Sequence, residues 1–361
     1  MFDLLIFVGS YAVADQAGIY SFSFDADSGA LEPCATYAGI HNPSFLIVHP
    51  KRCCLYALSE HTIGRVYGFR FDKRGELEPL NEQPSGGSAP CRLTLDVSGK
   101  WLIVSNYNSG SVCVLPVNDN GALGTATHLV HHHGQGAHLK RQAGPHVHSA
   151  VFAPDGRFVL VADLGVDQIF TYAFDRVAGR LDLRSSMHVR PGAGPRHLVF
   201  HPARDTLYVA NELDNTANVY DYDTMNGTLL ERQSISSLPA GTLPNLMAEI
   251  NVAPDGSRAY VSNRGHNSIS VFDIAPNGTL TPTAIRPCGG SWPRDFVLAR
   301  GGRFMLIANQ NSGDLVVLPI LDDTICLGEA IARVAVPGAS CVQFADRSHV
   351  PINGHMACDQ L

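Results

Sequence analysis

Short apolar stretches rich in Val, Ile, Leu, Phe and Tyr recur along the whole chain, each bounded by Gly, Asn, Asp or Pro. Runs this short, broken by turn residues, predict strands. No stretch sustains the i, i+3, i+4, i+7 apolar spacing of an amphipathic helix. The strands follow a repeated order. Gly194-Pro195-Arg196-His197-Leu198-Val199-Phe200 opens one copy, Leu207-Tyr208-Val209-Ala210-Asn211-Glu212 follows, and Ala217-Asn218-Val219-Tyr220-Asp221-Tyr222 comes third. Further copies lead from Pro90 to Asn106, Pro145 to Asp163, Pro244 to Asn263 and Pro293 to Asn309, with a looser one from Pro43 to Ser59. The polar residue ending each second strand falls at 59, 106, 163, 211, 263 and 309, intervals of 47, 57, 48, 52 and 46. That spacing matches one four-stranded propeller blade.

The chain ends complete the count. Phe7-Val8-Gly9-Ser10-Tyr11 reads as a second strand with no first, and Pro337-Gly338-Ala339-Ser340-Cys341-Val342-Gln343-Phe344 as a first strand with no second. The expectation is an all-β, seven-bladed β-propeller, its ring closed by N- and C-terminal strands sharing one blade. Closure of that kind leaves no open sheet edge. A single domain spans 1–361, and the strand pattern stops at Phe344, so residues 345–361 are expected to form a loose tail.

At 361 residues the chain is long for a single core, but repeat folds grow by adding units. Only 16% of residues are charged, and 34 Gly and 22 Pro supply turns throughout. The net charge of −7, with no basic run, argues against nucleic acid as a partner. No apolar run is long enough for a membrane helix, and the N-terminus lacks the positive stretch of a signal peptide. Cytoplasmic location, no membrane association and a monomer or weak homodimer are therefore expected. The nine Cys contain no CxxC pair and read as reduced thiols.

In a blade, the start of the first strand and the end of the second meet at the same end of the sheet. Those two places carry the polar exceptions of each repeat. His146, His148, Arg196 and Arg294 stand at first-strand starts; Asn106, Glu212, Asn263, Arg264 and Asn309 stand at second-strand ends. Ring closure gathers them around one mouth of the central channel, where His, Glu and several Arg suit a small anionic, oxygen-rich molecule. The Asn residues recur in most blades, so they either cap the blade backbone or line the rim. His146, His148, Glu212 and Arg264 have no counterpart in most blades, so the repeat does not require them. Pro154-Asp155-Gly156 and Pro254-Asp255-Gly256 are hairpin turns at the opposite mouth. His131-His132-His133, with His128 and His138, lies in the longest interval between copies and reads as a solvated loop. No spaced Cys/His set points to a metal, and no GxSxG elbow to a serine nucleophile.

With these residues in view, the chain resembles the propeller lactonases, a family that includes propeller-type 6-phosphogluconolactonases and carboxy-cis,cis-muconate cyclase. The resemblance rests on Arg141-Gln142, Gly144-Pro145-His146-Val147-His148-Ser149, Val161-Ala162-Asp163-Leu164-Gly165, Gly194-Pro195-Arg196-His197, Asn211-Glu212-Leu213 and Ser262-Asn263-Arg264-Gly265-His266, with Pro293-Arg294 and Ala308-Asn309-Gln310. It implies catalytic roles for His148, Arg196, Glu212 and Arg264, action on a small anionic lactone, and no metal or other cofactor. Hydrolysis of 6-phosphogluconolactone is the leading expectation; lactone-forming cyclisation, another lactone substrate, and a non-catalytic binding propeller are the alternatives. Either His148 or Glu212 would be the base, Arg196 or Arg264 would face the oxyanion, and Arg141, Arg294 and His146 would hold the anionic group.

Overall fold

The computed structural model describes residues 2–346 apart from 243, 300 and 322–325. Seven antiparallel sheets are arranged around a channel. In chain order after the shared blade, the inner strands are Leu46–Val48, Pro90–Leu95, Val147–Phe152, Pro195–Phe200, Leu246–Val252 and Pro293–Leu298. The shared blade, blade 1, is built as the sequence suggests. Its inner strand is the C-terminal Ala339–Asp346, which pairs with Phe2–Ser10, and Ile19–Asp25 and Leu31–Tyr37 follow outward. The last strand runs to Asp346, beyond the expected end at Phe344, because Leu4 and Leu5 offer Asp346 and Ala345 backbone partners. The rest of the expected tail lies outside the described residues.

Second strands read almost solid apolar, as in Phe158–Asp163 and Thr206–Asn211, because they are covered by a neighbouring blade on each face. Outer strands such as Arg180–His188 alternate between buried and exposed positions, since one face meets water. The core therefore lies between blades: Ile103, Val112 and Val114 pack on Val147, Val159 and Val161, and Tyr208, Ala210 and Val219 on Met247, Ala259 and Val261. No α-helix occurs among the described residues.

In six blades the register between the inner and second strands shifts at the mouth end, between Pro90 and Arg92, Val147 and Ser149, Pro195 and His197, Met247 and Ile250, Pro293 and Asp295, and opposite Gly9/Ser10. A β-bulge interrupts strict alternation and re-aims a side chain. Successive residues such as Arg196 and His197 thereby both reach the channel, in two tiers. Cys91, His148, Arg196 and Arg294 form the tier nearer the mouth; Arg92, His197, Glu249 and Asp295 form the tier below.

Candidate active site

In six blades the residue that follows the second strand's terminal polar position stands at the mouth: Tyr11, Glu60, Tyr107, Glu212, Arg264 and Gln310; in blade 4 it is the fully buried Leu164. The terminal position itself turns into the blade. The amide nitrogen of Asn106 donates to Ser85 O and Ser111, that of Asn263 to Ser268 and Ser270, and that of Asn309 to Asp314. All three Asn are fully buried, so the structure gives them to the blades and does not bring their amides to the mouth. Asp163 occupies the same position in blade 4. Its Oδ1 accepts the His146 and Gly165 N–H groups, and its Oδ2 pairs with His132 Nδ1 at 2.7 Å. His132 Nε2 in turn meets the Tyr172 hydroxyl at 2.8 Å. The expectation of a solvated His-rich loop is thus corrected. His128–His131 is the outer strand of blade 3, and His132 is buried, where it supplies the partner of Asp163 Oδ2. His131 and His133 are exposed.

Glu212 is the hub. Its Oε2 accepts Arg196 Nε at 2.9 Å and Arg264 Nη2 at 2.6 Å, while its Oε1 accepts Arg141 Nη2. Burial raises the Glu212 pKa, but Arg264, Arg196 and Arg141 outweigh it and hold the carboxyl well below the usual range. A carboxylate so depressed, with its oxygens committed to three guanidinium groups, is a poor proton acceptor. Arg141 reaches in from the loop between blades 3 and 4. Buried Gln142 fastens that loop through Leu164 O and Asp167 Oδ1, each at 2.7 Å.

His148 differs. Its Nδ1 is buried and unpartnered, and no hydrogen bond holds its ring among the described residues. Burial first, then the charges of Arg196, His197, Arg294 and Arg264, lower its pKa well below the ordinary histidine value, so the imidazole is neutral at pH 7. Tyr107 and His197 pack edge-on against it, at 5.6 and 5.0 Å between ring centroids. His146 stacks flat on Tyr107, 4.3 Å between centroids.

Arg294 lies over the Tyr11 ring, 5.0 Å from its centroid, with no carboxylate in ion-pair contact among the described residues. Tyr11 donates to Glu60 at 2.7 Å, and Ser44 donates to the same carboxylate oxygen. The mouth therefore sets Arg141, Arg196, Arg264 and Arg294 against Glu60 and Glu212, two positive charges in excess. The tier below is balanced. Arg92 pairs with Glu249 at 2.7 Å, and Glu249 also meets His197 Nδ1 at 2.9 Å. Burial first, then Glu249, raises the Asp295 pKa well above normal, so this carboxyl keeps its proton beside an ionised Glu249.

His148, Arg196, Glu212 and Arg264, with Arg141, Arg294 and His146, thus converge as the sequence suggests. Tyr11 and Tyr107 were missed, although both stand one residue after a strand-ending polar position, as Glu212 and Arg264 do. Three kinds of likeness to known proteins agree with this geometry. Residues 5–344 match the family described as "Lactonase, 7-bladed beta-propeller". A 6-phosphogluconolactonase of Bacillus subtilis is 35% identical over 342 residues, covering 94% of this chain and 97% of the relative. One from Formosa agariphila is 32% identical over 355 residues, covering 95% of this chain and 100% of the relative. Among solved structures, the periplasmic gluconolactonase of Pseudomonas aeruginosa superposes with a TM-score of 0.88 at 30% identity, covering 94% of this chain and 98% of that one.

Proposed function

We propose, since the chain belongs to the seven-bladed β-propeller lactonase family, that it hydrolyses a phosphorylated sugar lactone, 6-phosphoglucono-δ-lactone, to the open-chain acid. The observation that carries the phosphate is the excess of two positive charges at the mouth together with Arg294, which has no carboxylate partner there. A phosphate monoester brings about −1.5 to −2 charges at pH 7, which matches that excess. A guanidinium in a dry site takes such a group by charge-assisted hydrogen bonds.

The chemistry is assigned as follows. His148 Nε2 accepts a proton from water, and the resulting hydroxide adds to the lactone carbonyl carbon. The carbonyl oxygen becomes an oxyanion beside Arg264 and Arg196, which Glu212 fixes in place. Collapse breaks the bond from that carbon to the ring oxygen, and the leaving oxygen takes the proton back from His148. Glu212 is the positioning carboxylate and His148 the base. Anion binding also neutralises part of the charge that depresses His148, so substrate raises the basicity of its own base.

The Pseudomonas aeruginosa relative, a gluconolactonase by name, favours a second reading in which the lactone carries no phosphate. Hydrolysis of freshly generated 6-phosphoglucono-δ-lactone and of glucono-δ-lactone, corrected for the spontaneous rate and measured after EDTA treatment, separates the two. The expected result is kcat/KM at least tenfold higher for the phosphorylated lactone. Equal or reversed rates transfer the assignment to the neutral lactone, and activity on neither removes hydrolysis of gluconolactones.

A further inference from the structure

In four blades, the residue just before the inner strand's proline has a left-handed backbone, and its carbonyl accepts the N–H of the residue that reaches over the mouth. Asn42 (φ 47°) serves Glu60, Ala89 (φ 50°) serves Tyr107, Gly194 (φ 66°) serves Glu212, and Trp292 (φ 66°) serves Gln310. Gly and Asn tolerate this conformation and Ala is at least small, but a Trp there is an outlier. The turn does not call for an indole, since the other three positions manage without one. The strained backbone is held from both sides: Asn267 Oδ1 accepts the Trp292 N–H at 2.8 Å, and Trp292 O accepts Gln310 N–H at 3.0 Å. Strain that the surroundings maintain at a channel mouth is a mark of function.

The indole is partly exposed, and the Arg264 guanidinium lies 5.6 Å from its ring centroid. That guanidinium is the one Glu212 holds against the reacting carbonyl. We propose that Trp292 is a specificity-determining residue: its indole forms an aromatic shelf on which the C–H face of the sugar-lactone ring stacks, setting the ring's height above Arg264. An aromatic face carries negative potential, which suits both the cation and the slightly positive C–H hydrogens of a sugar ring. The inference rests on the proposed lactone substrate and adds which residue reads its ring.

The chain has two Trp, and Trp101 lies at the far end of blade 3, its indole N–H bonded to Arg176 O. In a Trp101→Phe protein, Trp292 is the sole indole, so its emission reports on the mouth without any need for turnover. Titration with glucose 6-phosphate, which keeps the six-membered ring and the phosphate but has no lactone bond to hydrolyse, is expected to change that emission saturably. In the otherwise unaltered chain, Trp292→Ala is expected to raise KM about tenfold with kcat within twofold, and Trp292→Phe to recover most of the loss. Trp292→Gly is expected to show the same KM defect as Trp292→Ala yet melt about 1–3 °C higher, because glycine releases the backbone strain. An emission response without lactone turnover keeps the shelf and removes hydrolysis. Turnover with silent emission and an unchanged KM in Trp292→Ala overturns the shelf alone. Neither binding nor turnover overturns both.

Discussion

Burial and the surrounding guanidinium groups keep the His148 imidazole deprotonated through neutral pH, and this has a kinetic consequence at the scale of single residues. A base must be neutral to act, so activity falls only as pH drops through its pKa. Because that pKa is depressed in the free protein, kcat/KM is expected to stay level as pH falls from 7.5 past 6.5, the ordinary histidine value. Removing one of the depressing cations moves the acid limb to higher pH. Arg294→Gln is expected to do so while also raising KM for a phosphorylated lactone. A pH–rate profile of the variant checks both, and an unmoved limb would contradict the assignment of His148. A second prediction concerns His197. Its Nδ1 faces Glu249 at 2.9 Å, and Arg196 Nη1 rests against the ring, 3.2 Å from Nδ1 and 3.0 Å from Nε2. His197→Phe removes both ring nitrogens from Arg196 and Glu249, and kcat is expected to fall roughly ten- to hundredfold with KM nearly constant, as small misplacements of an active-site group do. His197→Gln, which keeps an acceptor, is expected to recover part of kcat. A purely packing role would instead lower the melting temperature and leave turnover per folded molecule unchanged.

Among the elements, the outer strand of blade 3 and the loop after it carry weight that the sequence hid. His132 joins buried Asp163 to Tyr172, and Asp163 also holds the backbone just before His148. His132→Ala is expected to cost about 2 kcal/mol or more, since it leaves a buried charged acceptor short of a partner. Urea unfolding would measure it, and a loss below about 0.5 kcal/mol would show the relay to be dispensable. Local pattern gave no hint of this burial, because the partners of His132 lie 31 and 40 residues away. The strands themselves were legible, since each repeat states its own period and turn residues. The bulges were not: alternation predicts opposite faces for Arg196 and His197, and only a register shift turns both to the channel. The Asn at 106, 263 and 309 left two roles open, and the structure gives them to the blades through hydroxyl and carboxylate partners within seven residues on the next strand, together with Ser85 O for Asn106. The reading position is the next residue along, where Tyr11, Tyr107, Glu212 and Arg264 stand.

For the whole molecule, the shared blade decides whether there is a site at all. The final strand is an inner one. Ser340 Oγ donates to Ser44 O and Gly9 O, and the Val342 N–H donates to Asp295 Oδ2. Val342→Pro takes that N–H away from buried Asp295 and replaces a fully buried side chain of the strand that closes the ring. It is expected to yield an open, aggregation-prone ring with little lactone hydrolysis, while Gln343→Lys, at a half-buried position on the same strand, is expected to remain folded. Size-exclusion chromatography with a thermal melt distinguishes the two. The same arrangement sets a timetable for biosynthesis. A growing chain can fold blade on blade as it leaves the ribosome, yet residues 339–346 follow every other described strand. A nascent chain that stops short of residue 339 therefore lacks the strand that closes the ring, and the gathered mouth forms only once that strand has been made.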